Sequence, residues 1–161
     1  MPGAPTYIRA AEAADQNAIR TMIGDARLNP MQLHWQNFIV AEEATGGRLA
    51  AIGQVKPHTD GGRELASIAV QPDRQGEGIA AAIIWSLLAR EQGDLYLYCR
   101  CGLTEFYPRF GFIVIDGSEL PSAMRRFFRI GQTIMRIARA VGLIDEGLCA
   151  MKRAASQTKN I

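Results

Sequence analysis

Cysteine, histidine and tryptophan are scarce in this 161-residue chain, at three, two and two residues. No apolar run reaches the roughly 18 residues that a membrane-spanning helix requires. The cysteines, Cys99, Cys101 and Cys149, are odd in number, which argues against a disulfide framework. They are expected to be small buried thiols in a reducing compartment. No Cys/His group has zinc spacing, so no metal is expected. The formal net charge of +2 is too small to argue for nucleic acid, and no membrane partner is expected. Met1-Pro2-Gly3-Ala4-Pro5 lacks the charged and apolar regions of a signal peptide, which points to the cytoplasm.

What is present reads as a globular protein: 48% hydrophobic and 21% charged residues, with no internal repeat and no linker. One domain over 1–161 is expected, with a core from about 6 to 153 and a loose polar tail from Ala155. Strands are expected at 7–9, 38–41, 48–56, 63–70, 95–99, 112–115 and 148–153. Helices are expected at 15–26, 78–92, 103–110 and 124–141. The strand at 95–99 follows its predecessor by way of a helix, so the two should run parallel. The order is that of a mixed α/β domain.

One stretch carries chemistry. Arg74-Gln75-Gly76-Glu77-Gly78-Ile79-Ala80 lies between a strand and a helix. Glycine allows positive φ and close approach of a ligand to the backbone. The first N–H groups of a helix have no partner inside it, and the helix dipole adds positive character there. A pyrophosphate suits such a place. A P-loop would need a Lys that is absent. Gly76, Gly78 and Ala81 satisfy a dinucleotide spacing, but Asp94 opens the next strand where that fold needs an acid at its end. A plain strand–helix turn with two glycines competes as an explanation.

The third pattern, Gln/Arg-x-x-Gly-x-Gly/Ala, is met by Gln75, Gly78 and Ala80. Glu105-Phe106-Tyr107-Pro108-Arg109-Phe110-Gly111-Phe112 resembles a Phe-Tyr-x-x-x-Gly-Phe segment, and Ser67-Ile68-Ala69-Val70 precedes Gln71-Pro72-Asp73. With these motifs in this order, the chain resembles the GNAT superfamily, the Gcn5-related N-acetyltransferases, from Tyr7 to about Arg153. The resemblance implies an acyl-CoA N-acyltransferase fold: a mixed, mostly antiparallel sheet with splayed fourth and fifth strands, flanked by helices. It implies acetyl-CoA as cosubstrate and an amine acceptor. The backbone of Ile68, Ala69 and Val70 would pair with the pantetheine arm. The N–H groups of Gln75, Gly76, Glu77, Gly78, Ile79 and Ala80 would hold the pyrophosphate.

Tyr107 matches the tyrosine that serves as general acid in much of the family; its plainer role would be aromatic packing. Glu64 is the candidate base, standing level with an ordinary exposed glutamate near a strand end. Strict alternation would place Glu64, Ala66, Ile68 and Val70 on one face; a bulge, which the resemblance makes common in this strand, would change that. His58 is a second candidate base, although a lone loop histidine is more often solvated. The resemblance puts the acceptor near Arg27, Asn29, His34 and Trp35. Arg27 more simply serves a helix C-terminus, and Trp35 the core. The acceptor is expected to be a small-molecule amine such as an amino acid or polyamine, with a protein N-terminus or lysine as runner-up. A non-catalytic acyl-CoA-binding module is the rival reading.

The helix at 124–141 carries Met124, Phe127, Phe128, Gly131, Ile134, Met135 and Ala138 on one face and five arginines with no acid. It is expected to pack on the sheet with a solvated basic face. A lid, or a contact in a homodimer, comes next.

Overall fold

The computed structural model describes residues 3–155, and the loose tail expected beyond Ala155 lies outside them. The chain divides into two compact units: residues through Lys56 together with Leu65–Arg90, and Pro57–Glu64 together with residues from Glu91 onward. The strands are mostly antiparallel. No helix among the described residues is long and apolar enough to cross a membrane.

The first unit contains β1 (Thr6–Ala10), α1 (Gln16–Asp25), β2 (Phe38–Glu43), β3 (Leu49–Pro57), most of β4 (Arg63–Val70) and α2 (Ile79–Leu88). Its strands lie in the order β1-β2-β3-β4. Antiparallel pairing joins Ile8 to Ala41 and Val40 to Ile52, with an irregularity between Ala41 and Glu42. Apolar residues of α1 at helical spacing, Ile19, Met22 and Ile23, pack with Phe38, Val40, Leu49, Ile52 and Ala69. Trp35 packs against this cluster as expected of a core residue. The left-handed Arg27, at φ 53°, ends α1, and the Leu28 N–H bonds the Ile23 carbonyl at 3.0 Å.

Glycine is required at Gly53 in β3. A methyl there would lie 2.6 Å from both Ile68 of β4 and Ile83 of α2. Its absence lets the helix sit close on the strands.

β4 departs from the expected alternation. Ser67, in the middle of the strand, adopts φ 59°. A residue in the left-handed region turns the strand locally and interrupts strict alternation between Glu64 and Ile68. The Gln54 side-chain amide donates to Ser67 Oγ at 2.8 Å and fixes the irregularity.

The second unit contains the start of β4, β5 (Leu95–Arg100), β6 (Ile113–Ile115), α3 (Ser122–Ala140) and β7 (Leu148–Arg153). Strand order is β4-β5-β7-β6. β4 and β5 run parallel as expected, paired at Glu64 and Tyr96. β7 is antiparallel to β5 from Leu95↔Arg153 to Arg100↔Leu148 and also pairs with β6. Leu120, Met124, Phe128 and Ala150 form the core beneath α3. Asp60 caps α3, accepting from the Ala123 N–H at 2.8 Å and Ser122 Oγ at 3.2 Å.

Three expectations need correction here. Cys101 and Cys149 form a disulfide, with Cα atoms 5.2 Å apart. The cause is topological: the chain turns out of β5 at Cys101, whose N–H bonds the Gly147 carbonyl at 2.9 Å, and this brings it diagonally across from Cys149. Cys99 alone is the buried free thiol. The segment expected to be helical at 103–110 is instead two short 3-10 turns, Cys101–Leu103 and Tyr107–Phe110, with Pro108 in the first turn of the second. The expected face of the basic helix is covered only in part: Met124 and Phe128 are buried and Gly131 lies close to Leu148, while Phe127 and Ile134 are exposed.

Candidate functional site

The glycine turn takes the form that the sequence implies. After β4, Pro72–Arg74 makes one 3-10 turn, Gly76 and Gly78 take φ 81° and 80°, and α2 begins at Ile79. No side chain caps α2, and the first helical bond runs from the Ala82 N–H to the Gly78 carbonyl at 3.2 Å. The N–H groups ahead of it face an exposed loop, Gln75 to Gly78. A methyl on Gly76 or Gly78 would meet no protein atom within 4 Å. The glycines therefore leave open space beside donors, which fits an oxyanion group such as a diphosphate. The Gln75 side chain reaches back toward the Val70 carbonyl at 3.4 Å.

A buried arginine braces this turn, and sequence reasoning gave it no role. Arg74, 4% exposed, donates to Glu77 at 2.9 Å, to Glu43, and to the Ala4 carbonyl at 2.8 Å. Arg48 grips Asp73 through two bonds, 2.8 and 2.7 Å, and holds its carboxyl down at about 2. The Glu77 carboxyl is lowered chiefly by Arg74, so the acid within the turn is already paired. Only the Glu77–Arg74 spacing of three residues hinted at this; Glu43 is 31 residues away.

In the second unit, the two candidate bases belong together. His58 Nε2 lies 2.8 Å from Glu64 Oε2, with side chains 6% and 12% exposed. The expectation of a solvated loop histidine is therefore wrong. The His58 N–H bonds the Gly62 carbonyl at 2.8 Å, a tight turn that returns the ring to the start of β4. Phe127 of α3 stands 6.5 Å from the imidazole, centroid to centroid. Tyr98 of β5 donates to the Met124 carbonyl at 2.8 Å and stacks on Phe128. Its ionisation is pushed up by burial and then by the charges of Glu64 and Asp60, so the phenol stays protonated.

Tyr107 opens the second 3-10 turn, ring edge to face with Phe106 and Phe112 at 5.2 and 6.0 Å. Burial pushes its pKa up to about 12, with Cys99 adding to the effect. Packing in this aromatic cluster therefore keeps the phenol protonated at neutral pH. Its hydroxyl makes no side-chain hydrogen bond among the described residues, whereas that of Tyr98 is engaged. In the first unit, Arg27 is the exposed cap of α1, Asn29 accepts from the Met31 N–H at 2.9 Å, and His34 precedes a short turn at Trp35–Asn37. No contact among these residues forms a common site.

Comparison with known proteins bears on the family and the fold. The family model described as an acetyltransferase (GNAT) domain matches residues 34–114. No curated protein sequence matches the chain. Among solved structures, N-acetylglutamate synthase from Neisseria gonorrhoeae, complexed with coenzyme A and N-acetyl-glutamate, is similar at 19% identity and TM-score 0.70. That match covers 95% of this chain but only 36% of the synthase, so the chain spans about a third of that protein's length. Rv2747 from Mycobacterium tuberculosis, in complex with CoA, is similar at 23% identity and TM-score 0.68, covering 92% of this chain and 98% of that one. The ribosomal-protein-S18-alanine N-acetyltransferase from Escherichia coli is similar at 19% identity and TM-score 0.64, covering 98% and 99%. At these identities the likenesses establish the fold.

Proposed function

This chain belongs to the GNAT acetyltransferase family, and from that premise we propose that it moves an acetyl group from acetyl-CoA to a primary amine by direct attack. The observation that carries the reading is the uncapped start of α2 on a turn whose two left-handed glycines leave open space. Gln75, Gly76, Glu77, Gly78, Ile79 and Ala80 would hold the pyrophosphate through their N–H groups. The backbone of Ile68, Ala69 and Val70 would pair with the pantetheine arm, and Gln75 would release the Val70 carbonyl as it does so.

Attack requires an unprotonated nitrogen, and amines with pKa from roughly 8 to 10 are mostly charged at neutral pH. The His58–Glu64 pair would take the proton, with the bond between them at 2.8 Å orienting the ring. Tyr107, still protonated at neutral pH, would give a proton to the departing sulfur. A small-molecule amine such as an amino acid or polyamine is the favoured acceptor, and a protein N-terminus or lysine the second. The test is calorimetric titration with CoA, followed by thiol release from acetyl-CoA across a panel of amines. CoA binding with no turnover on any amine would favour an acyl-CoA-binding module. Absence of CoA binding would remove the proposal.

A further inference from the structure

The outer side of α3 carries an apolar seam, of which only Phe127, beside the His58 ring, borders the proposed catalytic pair. Phe127, Ile130, Ile134, Ile137 and Val141 recur at spacings of 3, 4, 3 and 4, and they are 43, 54, 61, 61 and 65% exposed. This is the narrow a/d stripe of a coiled-coil helix, distinct from the wider face that packs a helix on its own core. The core-facing residues Met124 and Phe128 lie on another side of the helix. The residues flanking the seam are Gly131 and Ala138 on one side and Thr133 and Ala140 on the other, with Arg126 the single charged neighbour. Arg125, Arg129, Arg136 and Arg139 point away from it at helical spacing.

We propose that this seam docks against the same seam of a second copy of the chain, as an antiparallel helix pair. Small neutral flanks let two backbones approach. Arg125, Arg129, Arg136 and Arg139 stay out of the contact, which leaves Arg126 as the one charged side chain at its edge. Antiparallel packing opposes the two helix dipoles and keeps each Arg126 away from its counterpart. The five exposed side chains offer roughly 500 Å² of apolar surface per copy, so a pair buries on the order of 1,000 Å², the lower end for a specific contact. A helix lying on an anionic lipid surface would carry its basic residues along the rim of the apolar strip, where this one has Gly, Ala, Thr and a single arginine, Arg126.

Sedimentation equilibrium from low to high micromolar concentration should give twice the chain mass at the upper end. Ile134→Glu combined with Ile137→Glu should return a single-chain mass with an unchanged circular dichroism spectrum, since both side chains are exposed. Arg129→Gln combined with Arg136→Gln should leave the dimer intact. A single-chain mass for the unaltered protein, or a dimer that survives the double glutamate variant, overturns the proposal. So does co-sedimentation of a single-chain protein with phosphatidylglycerol-containing vesicles that the double glutamine variant loses.

Discussion

Replacing Gly78 by alanine separates backbone strain from ligand binding. Gly78 holds φ 80° and ψ 6°, and an added methyl would meet no atom within 4 Å. The folded protein therefore has room for the side chain, and the intrinsic cost is that of a left-handed L-residue, about 1–2 kcal/mol. For a chain of this size that lowers the melting temperature by about 2–8 °C. Gly46 supplies the control: it has φ 89°, the same open surroundings, and a place in the β2–β3 turn. Gly46→Ala should cost similar stability and leave CoA affinity alone. Gly78→Ala should also weaken CoA, because the methyl and the relaxed backbone misalign N–H groups that bond a charged oxygen. At roughly 1.5–3 kcal/mol for such a bond, CoA affinity falls about 10- to 100-fold. Melting curves and calorimetric titration of both variants make the test. Equal CoA affinity in Gly78→Ala and the parent protein, at matched loss of stability, would refute the reasoning.

Four further outcomes follow from the same geometry. Tyr107→Phe should lower kcat roughly 10- to 100-fold with little change in the KM for acetyl-CoA, and the parent enzyme should show no alkaline limb from this residue below about pH 12, both read from steady-state rates. Glu64→Gln and His58→Ala should each lower kcat/KM for the amine by roughly 100-fold, and the double variant should be little worse than either, as expected of a pair acting as one unit. Asp15 accepts from Arg9 at 2.7 and 2.9 Å and from the Glu12 N–H at 2.7 Å, and its carboxyl is held below the ordinary value chiefly by Arg9; its contribution to stability is complete above about pH 4 and is lost as pH falls through the lowered value. Asp15→Asn should therefore flatten acid unfolding below about pH 4 and cost about 1–3 kcal/mol at neutral pH, read from denaturant melts. Reduction of Cys101–Cys149, which are 48 residues apart, should lower stability by up to about 4 kcal/mol, read from urea melts with and without a phosphine reductant.

Most strands were legible because apolar runs bounded by Gly, Pro and Asp leave few alternatives, and β4 and β7 match the expected bounds of 63–70 and 148–153. The glycine turn was legible because its chemistry is local: two residues with positive φ and a helix start lie within five positions. What escaped depends on partners far along the chain. Ser67 leaves the strand conformation beside Gln54, 13 residues away, a pairing that alternation cannot encode. Cys101 meets Cys149 only because β7 returns beside β5. His58 was underrated because its partner is set by the turn through Gly62. In α3 the apolar pattern announced a helix correctly, but periodicity alone could not say that one apolar strip meets the core and the adjacent one meets solvent.

Gly53 never approaches a phosphate in any of this, yet it sets how low α2 rides on β3 and β4. The tilt of a helix fixes the direction in which its leading amides aim. A single added carbon at that buried site would lever the helix outward and swing its far end, as a shim under one leg tips a table. Under the proposed reading, ligand preference would respond to a position that no survey of ligand-touching residues would sample.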